Sequence, residues 1–506
     1  MLQFWRRIAP LAWIALALGS ARPGQAADVR VTGGIVRGAD QADGSSLFLG
    51  IPYAAPPLGA LRWAPPAPVA PWQGVRPATV APSPCLQSDE GWNAKDAARG
   101  SEDCLYLSVH TPRHDPGVRL PVLFWIHGGS NRAGSGSGTA LSPIYSRGVI
   151  VVAIEYRLGL FGFLAAPALR AESAHGSSGN YALLDQIAAL TWVRNNIAAF
   201  GGDPARVTVA GQSAGGTDIG ILLRSPLARG LFAQAIQESG ALGAPRSAAA
   251  NERIGTRLFQ LMAVSPDAAG LARLRDIPAA QLLERVPNLA NSEYERQLLW
   301  GDATADGWVL PVGVNNLYRS DGQARVPMIV GNVLREFPAD LPLDAVESLA
   351  RTTFGSNAAH VLDMYGVRDG KLPADDPLLG SVGTQLLTDM IFRCPTNRLA
   401  AWQVAAGQKV WRYEFGVREP GSPALAHNAE LHYVFDMRPP GKNNGDWPPV
   451  QEYWANFIKT GDPNGPGLPR WPDLAHGKAY MSFTPEGPRL GTDLRGSICR
   501  LVQPPA

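Results

Sequence analysis

The sequence is short of charge. Only 17% of its 506 residues are Asp, Glu, Lys or Arg, and the two signs nearly cancel, at 45 basic against 43 acidic. Such a balance provides no field for nucleic acid or an anionic membrane surface. Cysteine is scarce too, with four in the chain: Cys85, Cys104, Cys394 and Cys499. No two are spaced as Cys-x-x-Cys, which argues against a zinc ribbon or a dithiol redox motif and implies no metal or cofactor. There is no repeat, no low-complexity tract and no linker that would divide the chain. Hydrophobic runs long enough to span a bilayer, about 20 residues, are also missing.

What is present is 45% apolar residues, enough for a large core, with 55 Gly and 44 Pro marking many ordered loops. At the N-terminus Arg6 and Arg7 precede the apolar run Ile8 to Leu18, and Gly24-Gln25-Ala26 offers small residues for cleavage. That pattern predicts an export signal over 1–26 and a mature domain over 27–506. Without Arg6, Arg7 and Arg22 the mature chain has 42 basic residues against 43 acidic. An even cysteine count in an exported chain, periplasmic or extracellular, predicts two disulfides. No membrane partner is expected after cleavage.

Strand-like segments Val122 to Ile126, Val149 to Glu155 and Arg206 to Ala210 alternate with a helical period over Asn180 to Phe200. Gly201-Gly202 reads as the helix stop and Asp203-Pro204 as a turn. Strand–helix–strand units with long connections predict an α/β fold with a doubly wound, mostly parallel sheet. Residues 250–300 and 340–400 read as helical insertions above it.

Gly211-Gln212-Ser213-Ala214-Gly215 follows one of these strands and opens a helix. This is the context a nucleophile elbow needs: a sharp turn with small residues two before and two after the Ser. His127-Gly128-Gly129-Ser130 follows another strand, where backbone amides can meet the oxyanion of acyl transfer. On this fold the order is Ser, then acid, then His. For the base, His427 lies beyond the strand-like Val410 to Phe415 across a loop, and His432 is a close rival. His360 sits in an insertion helix, and His476 has no strand before it. For the acid, Glu336 lies in the loop after the strand Val326 to Val330, and Asp340 is the rival.

With these residues in place, the chain resembles the type-B carboxylesterases, the group that includes the cholinesterases. Phe48-Leu49-Gly50-Ile51-Pro52-Tyr53-Ala54, Ser101-Glu102-Asp103-Cys104-Leu105-Tyr106-Leu107, Gly211 to Gly216 and His427-Asn428-Ala429-Glu430-Leu431 carry the likeness. It implies an α/β-hydrolase fold and hydrolysis of a small-molecule ester by Ser213, Glu336 and His427. It selects His427 over His432 and Glu336 over Asp340. It also implies oxyanion donors at Gly129, Ser130 and Ala214, with support from Gly128 and from Ser239 as a buried hydroxyl behind the acid. The implied disulfides are Cys85–Cys104 and Cys394–Cys499. An amidase or lactonase would share this triad, and a non-catalytic binding protein is the alternative from another class.

The chain departs from the family pattern in four places. Ser130 stands where a third Gly is usual, so a left-handed backbone there would be uncomfortable. Gln212 replaces a Glu beside the nucleophile, Phe337 replaces a Gly after the acid, and Asn131 stands where an aromatic is common. Losing that Glu weakens the case for a choline-type ester, and Trp92 is the candidate for the group's cation-binding Trp. Arg132, Arg246 and Arg335 lie in or near the motifs: either they are surface residues or paired to acids such as Glu430, or they select esters of acids bearing further carboxylates, held by bidentate pairing.

Overall fold

The computed structural model describes residues 25–241, 245–286, 303–311, 322–422, 424–436 and 448–502. The expected export signal therefore lies outside the described residues apart from its last two, which open the first strand. Among the described residues no helix is long and apolar enough to cross a membrane.

The strands, in chain order, are β1 (Gln25–Val31), β2 (Gly34–Asp40), β3 (Ser46–Pro52), β4 (Val75–Pro77), β5 (Tyr106–Thr111), β6 (Leu120–Ile126), β7 (Ile150–Ile154), β8 (Gly202–Gln212), β9 (Gln234–Glu238), β10 (Arg246–Ser247), β11 (Thr304–Ala305), β12 (Met328–Val333), β13 (Val410–Phe415), β14 (Ala479–Thr484) and β15 (Gly487–Thr492). Apart from the β10–β11 pair, they form one sheet in the order β1-β2-β3-β5-β7-β6-β8-β9-β12-β13-β14-β15, with β4 beside β2. The centre, from β7 to β14, is parallel throughout. Antiparallel strands flank it on both sides.

Both faces of the central sheet are covered, and the strand sequences show why. In β6, Val122, Phe124 and Ile126 point into one core, while Leu123 and Trp125 point into the other. The first core receives the helix Tyr181–Asn196, buried nearly all round. The second receives the helix Val450–Thr460 through Tyr453, Trp454, Phe457 and Ile458. A parallel strand with two covered faces needs apolar residues at every position, so the central strands read as continuous hydrophobic runs. A smaller third core lies among the helices Leu343–Phe354, Ala358–Met364 and Val382–Leu387.

Two sequence readings need correction. Asp203-Pro204 is not a turn. β8 starts at Gly202, where it pairs with Leu120, and carries Pro204 across a register shift between Leu120 and Val122. Proline is tolerated where the ladder is already broken. The expected helix Asn180 to Phe200 is α-helical only from Tyr181 to Asn196 and tightens to a 3-10 turn over Ile197–Phe200. Gly201, at φ 87°, ends it in the left-handed conformation expected of a stop glycine. The helical expectation for 250–300 is met by Ala248–Leu261, Ala268–Asp276 and Ala279–Arg285, and 287–300 lies outside the described residues.

Candidate active site

Ser213 stands between the end of β8 and the helix Ala214–Leu222, at φ 56° and ψ −122°. A non-glycine residue there costs roughly 1–3 kcal/mol and persists only where its surroundings force it. Here they do. The Ser213 amide donates to the carbonyl of Glu238 on β9 at 2.9 Å, and its carbonyl accepts from the amide of Thr217. A Cβ on Gly215 would collide with the backbone oxygen of Ile126, so only glycine lets helix and strand approach so closely. The Ser213 side chain caps nothing at the helix terminus, which leaves its Oγ for chemistry.

The loop after β6 faces this turn. A Cβ on Gly128 would stand 3.0 Å from the Ser213 Cβ and 2.7 Å from the Gln212 carbonyl oxygen. Gly129, Ser130 and Asn131 are all left-handed, at φ 110°, 57° and 54°. Ser130 thus adopts the backbone that its side chain disfavours. The amides of Gly129 and Ser130 donate to no backbone carbonyl among the described residues. The Ala214 amide belongs to the first turn of its helix, where no intrahelical acceptor exists. The three predicted oxyanion donors are therefore uncommitted amides on segments in contact with Ser213.

His427 precedes the helix Ala429–Val434, in the stretch that follows β13. Its Nδ1 pairs with Oε2 of Glu336, which is buried in the loop after β12. Oε1 of Glu336 accepts from the Val333 amide at 3.1 Å, and the Glu336 amide donates to Oγ1 of Thr388. The other ring nitrogen, Nε2, is buried and makes no hydrogen bond. Phe337 and Phe392 flank the imidazole, with ring centroids 4.3 and 5.0 Å from it. The segments of His427 and Ser213 meet through Gln212, whose Nε2 donates to the His427 carbonyl at 3.0 Å. His432 lies a turn further on, in the helix, and Asp340 has no part in this cluster.

Ser239 has the burial expected of it, and its contact with the acid is indirect. It is fully buried, but its hydroxyl donates to Glu430 at 3.3 Å rather than to Glu336. Its link to the acid is the Val333 amide, which Ser239 Oγ and Glu336 Oε1 share. Behind it lies a group that sequence reading missed. Glu238 and Glu430 are both fully buried. Glu238 accepts from the Trp454 indole at 2.6 Å and Glu430 from Ser239. Burial raises both carboxyls above their ordinary range, and for Glu430 the charges of Glu238 and Glu336 add to it. Each therefore favours its neutral form more than an exposed carboxyl does, so the pair adds less negative charge beside Glu336.

The loop after β6 rests on a second buried network. Asn131 Nδ2 donates to Asp218 at 3.0 Å, and Gln186 donates to the other Asp218 oxygen at 2.6 Å. Tyr156 donates to the His127 carbonyl at 2.7 Å and to Asn131 Oδ1 at 3.2 Å. Burial pushes Asp218 up to about 7. A lone Asp in the apolar run Ala214 to Leu222 was the sequence signal for this network. His127 Nε2 stands 3.9 Å from Glu155, yet the two form no ion pair near neutrality. Burial lowers the imidazole to about 4 and raises the carboxyl to about 7, so between these two values both favour their neutral forms.

The predicted disulfides are both formed, Cys85–Cys104 and Cys394–Cys499. Trp92, in the first disulfide loop, is 66% exposed and sets its ring edge against Gly129. Of the three arginines, Arg132 lies 3.9 Å from Glu90 and Arg246 is also engaged. The Arg335 Nε is buried without a hydrogen-bond partner, beside Gly380. No group of His, Cys, Asp and Glu suited to a metal occurs among the described residues.

Residues 25–501 match the model of the carboxylesterase family. The chain belongs to that family. It is 34% identical over 485 residues to carboxylesterase 1C of Mus musculus, covering 87% of this chain and 85% of that protein. It is 34% identical over 468 residues to fumonisin B1 esterase of Sphingopyxis macrogoltabida, with 86% and 83% covered. It is 33% identical over 507 residues to the cocaine esterase of Homo sapiens, with 91% and 87% covered. Among solved structures, a PNB esterase superposes with a TM-score of 0.78 at 31% identity, across 94% of this chain and 99% of that one. The fold is that of the α/β-hydrolases, and the chemistry of this carboxylesterase is hydrolysis of carboxylic esters of small molecules.

Proposed function

We propose that this carboxylesterase works by two-step acyl transfer on Ser213. His427 takes the Ser213 proton as Oγ attacks the ester carbonyl, and Glu336 holds the imidazole in the tautomer that leaves Nε2 free to accept. The amides of Gly129, Ser130 and Ala214 receive the oxyanion. His427 returns the proton to the departing alcohol, and then activates water to release the acid. The observation that carries this reading is the junction at Gln212, which joins a strained serine at a helix N-terminus to a histidine already paired with a buried glutamate. His427 Nε2 is left without a hydrogen bond, and in apo hydrolases the catalytic hydrogen bonds commonly tighten only on binding.

The two disulfides and the N-terminal charged-then-apolar segment support an exported protein. Relatives are named for cocaine and fumonisin B1, so membership of the family leaves the acyl group open. Arg335, one residue before the acid and with an unpaired buried Nε, favours esters whose acyl part bears a further carboxylate.

A chromogenic ester panel, varied in acyl length and acyl charge, tests both levels with wild type, Ser213→Ala and Arg335→Ala. Turnover is expected to vanish in Ser213→Ala, and persistence there removes the nucleophile assignment. Arg335→Ala is expected to lose about tenfold in kcat/KM on carboxylate-bearing esters alone, on the order of one charge-assisted hydrogen bond. Equal kcat/KM for charged and neutral acyl groups of one size in wild type would remove the carboxylate preference and leave the esterase standing.

A further inference from the structure

We propose that Gln212 is a positioning residue, whose side-chain amide ties the loop of the base to the nucleophile elbow. The proposal rests on His427 being the base. Gln212 is the last residue of β8 and is 5% exposed. Its side chain spans three parts of the site. Nε2 donates to the His427 carbonyl at 3.0 Å. Oε1 lies 3.0 Å from where a Cβ on Gly128 would stand, so it packs on the oxyanion loop. Its own peptide runs directly into Ser213.

The imidazole needs such a second point of attachment. The bond from Nδ1 to Glu336 fixes the tilt of the ring, and Phe337 and Phe392 fix its plane. Neither fixes the distance between His427 and the serine, because Glu336 and both phenyl rings belong to segments that follow β12, not to the turn that carries Ser213. The Gln212 amide does fix it, since it starts from the residue next to the nucleophile. An error of an ångström in that distance is enough to cost a rate factor near a hundred.

The chemistry of the contact explains why an amide stands here. A backbone carbonyl needs a donor. The carboxylate usual in the family has no proton to give at neutral pH and would set acceptor against acceptor. Gln212 supplies the donor and leaves no charge beside the imidazole.

The experiment compares wild type, Ser213→Ala, Gln212→Met and Gln212→Glu on one chromogenic ester from pH 5 to pH 9. Gln212→Met keeps the length and loses the donor. It is expected to lose about tenfold in kcat at every pH, with KM within twofold. Gln212→Glu is expected to fall at least as far at pH 8. It should then gain on Gln212→Met as the pH drops and the introduced carboxyl acquires a proton to donate. Gln212→Met with wild-type kcat overturns the proposal, and so do two variants that track each other at all pH values. Thermal melts show which variants are folded. Should Gln212→Met not fold, the ratio of Gln212→Glu to wild type decides alone, and a ratio independent of pH overturns the tether. Turnover persisting in Ser213→Ala would remove the site reading and the tether with it. A silent Ser213→Ala beside a wild-type-like Gln212→Met removes the tether alone.

Discussion

Asn131 holds the oxyanion loop in a shape its neighbours resist. It follows two left-handed residues and is itself left-handed, at φ 54°. Asn tolerates this region better than most residues, because its short polar side chain can bond locally. Here that side chain reaches instead to Asp218, on the helix that starts after Ser213. The aromatic common at this place in the family could not make that bond. Replacing Asn131 by Ala would leave one oxygen of a fully buried carboxyl without its donor, and would keep the strained backbone. The expected cost is about 1–3 kcal/mol in unfolding free energy. Because Gly129 and Ser130 lie just before it, kcat/KM should fall with little change in KM. Denaturant unfolding and steady-state kinetics of Asn131→Ala check both. A variant as stable and as active as wild type would show that the Asn131–Asp218 bond holds nothing in place.

Among the elements, the two disulfides close loops of very different length. Cys85 and Cys104 are 19 apart in sequence, and Cys394 and Cys499 are 105 apart. Chain entropy alone assigns about 3 kcal/mol to the first and about 4.7 kcal/mol to the second. Their connections to the site run the other way. The short loop carries Gln87, which bonds both the amide and the carbonyl of Gly134, where the oxyanion loop ends. The long loop ties the C-terminal turn Gly496–Cys499 to the helix Cys394–Ala405. Replacing the Cys85–Cys104 pair by serines should therefore cost less stability and more kcat/KM, and the Cys394–Cys499 pair the reverse. Paired melts and kinetics read this directly, and parallel losses in the two variants would refute it. The elements themselves differ in how plainly the sequence announces them. β6, β7 and β13 are continuous apolar runs, because burial on both faces demands it, and they stand within two residues of where the pattern puts them. Pro204 hides the start of β8, since a local breaker signal cannot know that the ladder is already irregular there. The family motifs point to Ser213, Glu336 and His427, which the fold brings into one cluster. They do not include Glu238, and they carry Glu430 without showing its burial, which depends on packing between β9, β13 and the helices after them. Nor could they tell that Arg132 faces Glu90 while the Arg335 Nε is left unpaired.

Across the whole molecule, buried acids set how stability depends on pH. Glu155 lies under the oxyanion loop, fully buried, and is raised to about 7 by burial against the bonds it accepts from Ser135, Gly136 and Ser137. Asp218 is raised to about 7, and Glu238 and Glu430 are raised as well. An acid whose folded value exceeds its unfolded one, near 4.3 for Glu, binds its proton more tightly in the fold. Its contribution to stability is complete below about 4.3 and is lost as the pH rises through about 7. Asp43 acts oppositely, since hydrogen bonds from Tyr145 and Ser45 lower it to about 2, and its effect is confined to strongly acid solution. The protein should therefore be more stable at pH 5.5 than at pH 8.5. Glu155 alone should account for on the order of 2 kcal/mol of that difference. Glu155→Gln keeps an oxygen for the same four donors and cannot ionise, so its decline between the two pH values should be shallower by that amount. Urea midpoints of both proteins at pH 5.5 and 8.5 measure it. Equal slopes would mean that Glu155 is already ionised in the fold at pH 5.5, held by its serine and amide donors, and that the alkaline loss arises from Asp218 and the Glu238–Glu430 pair.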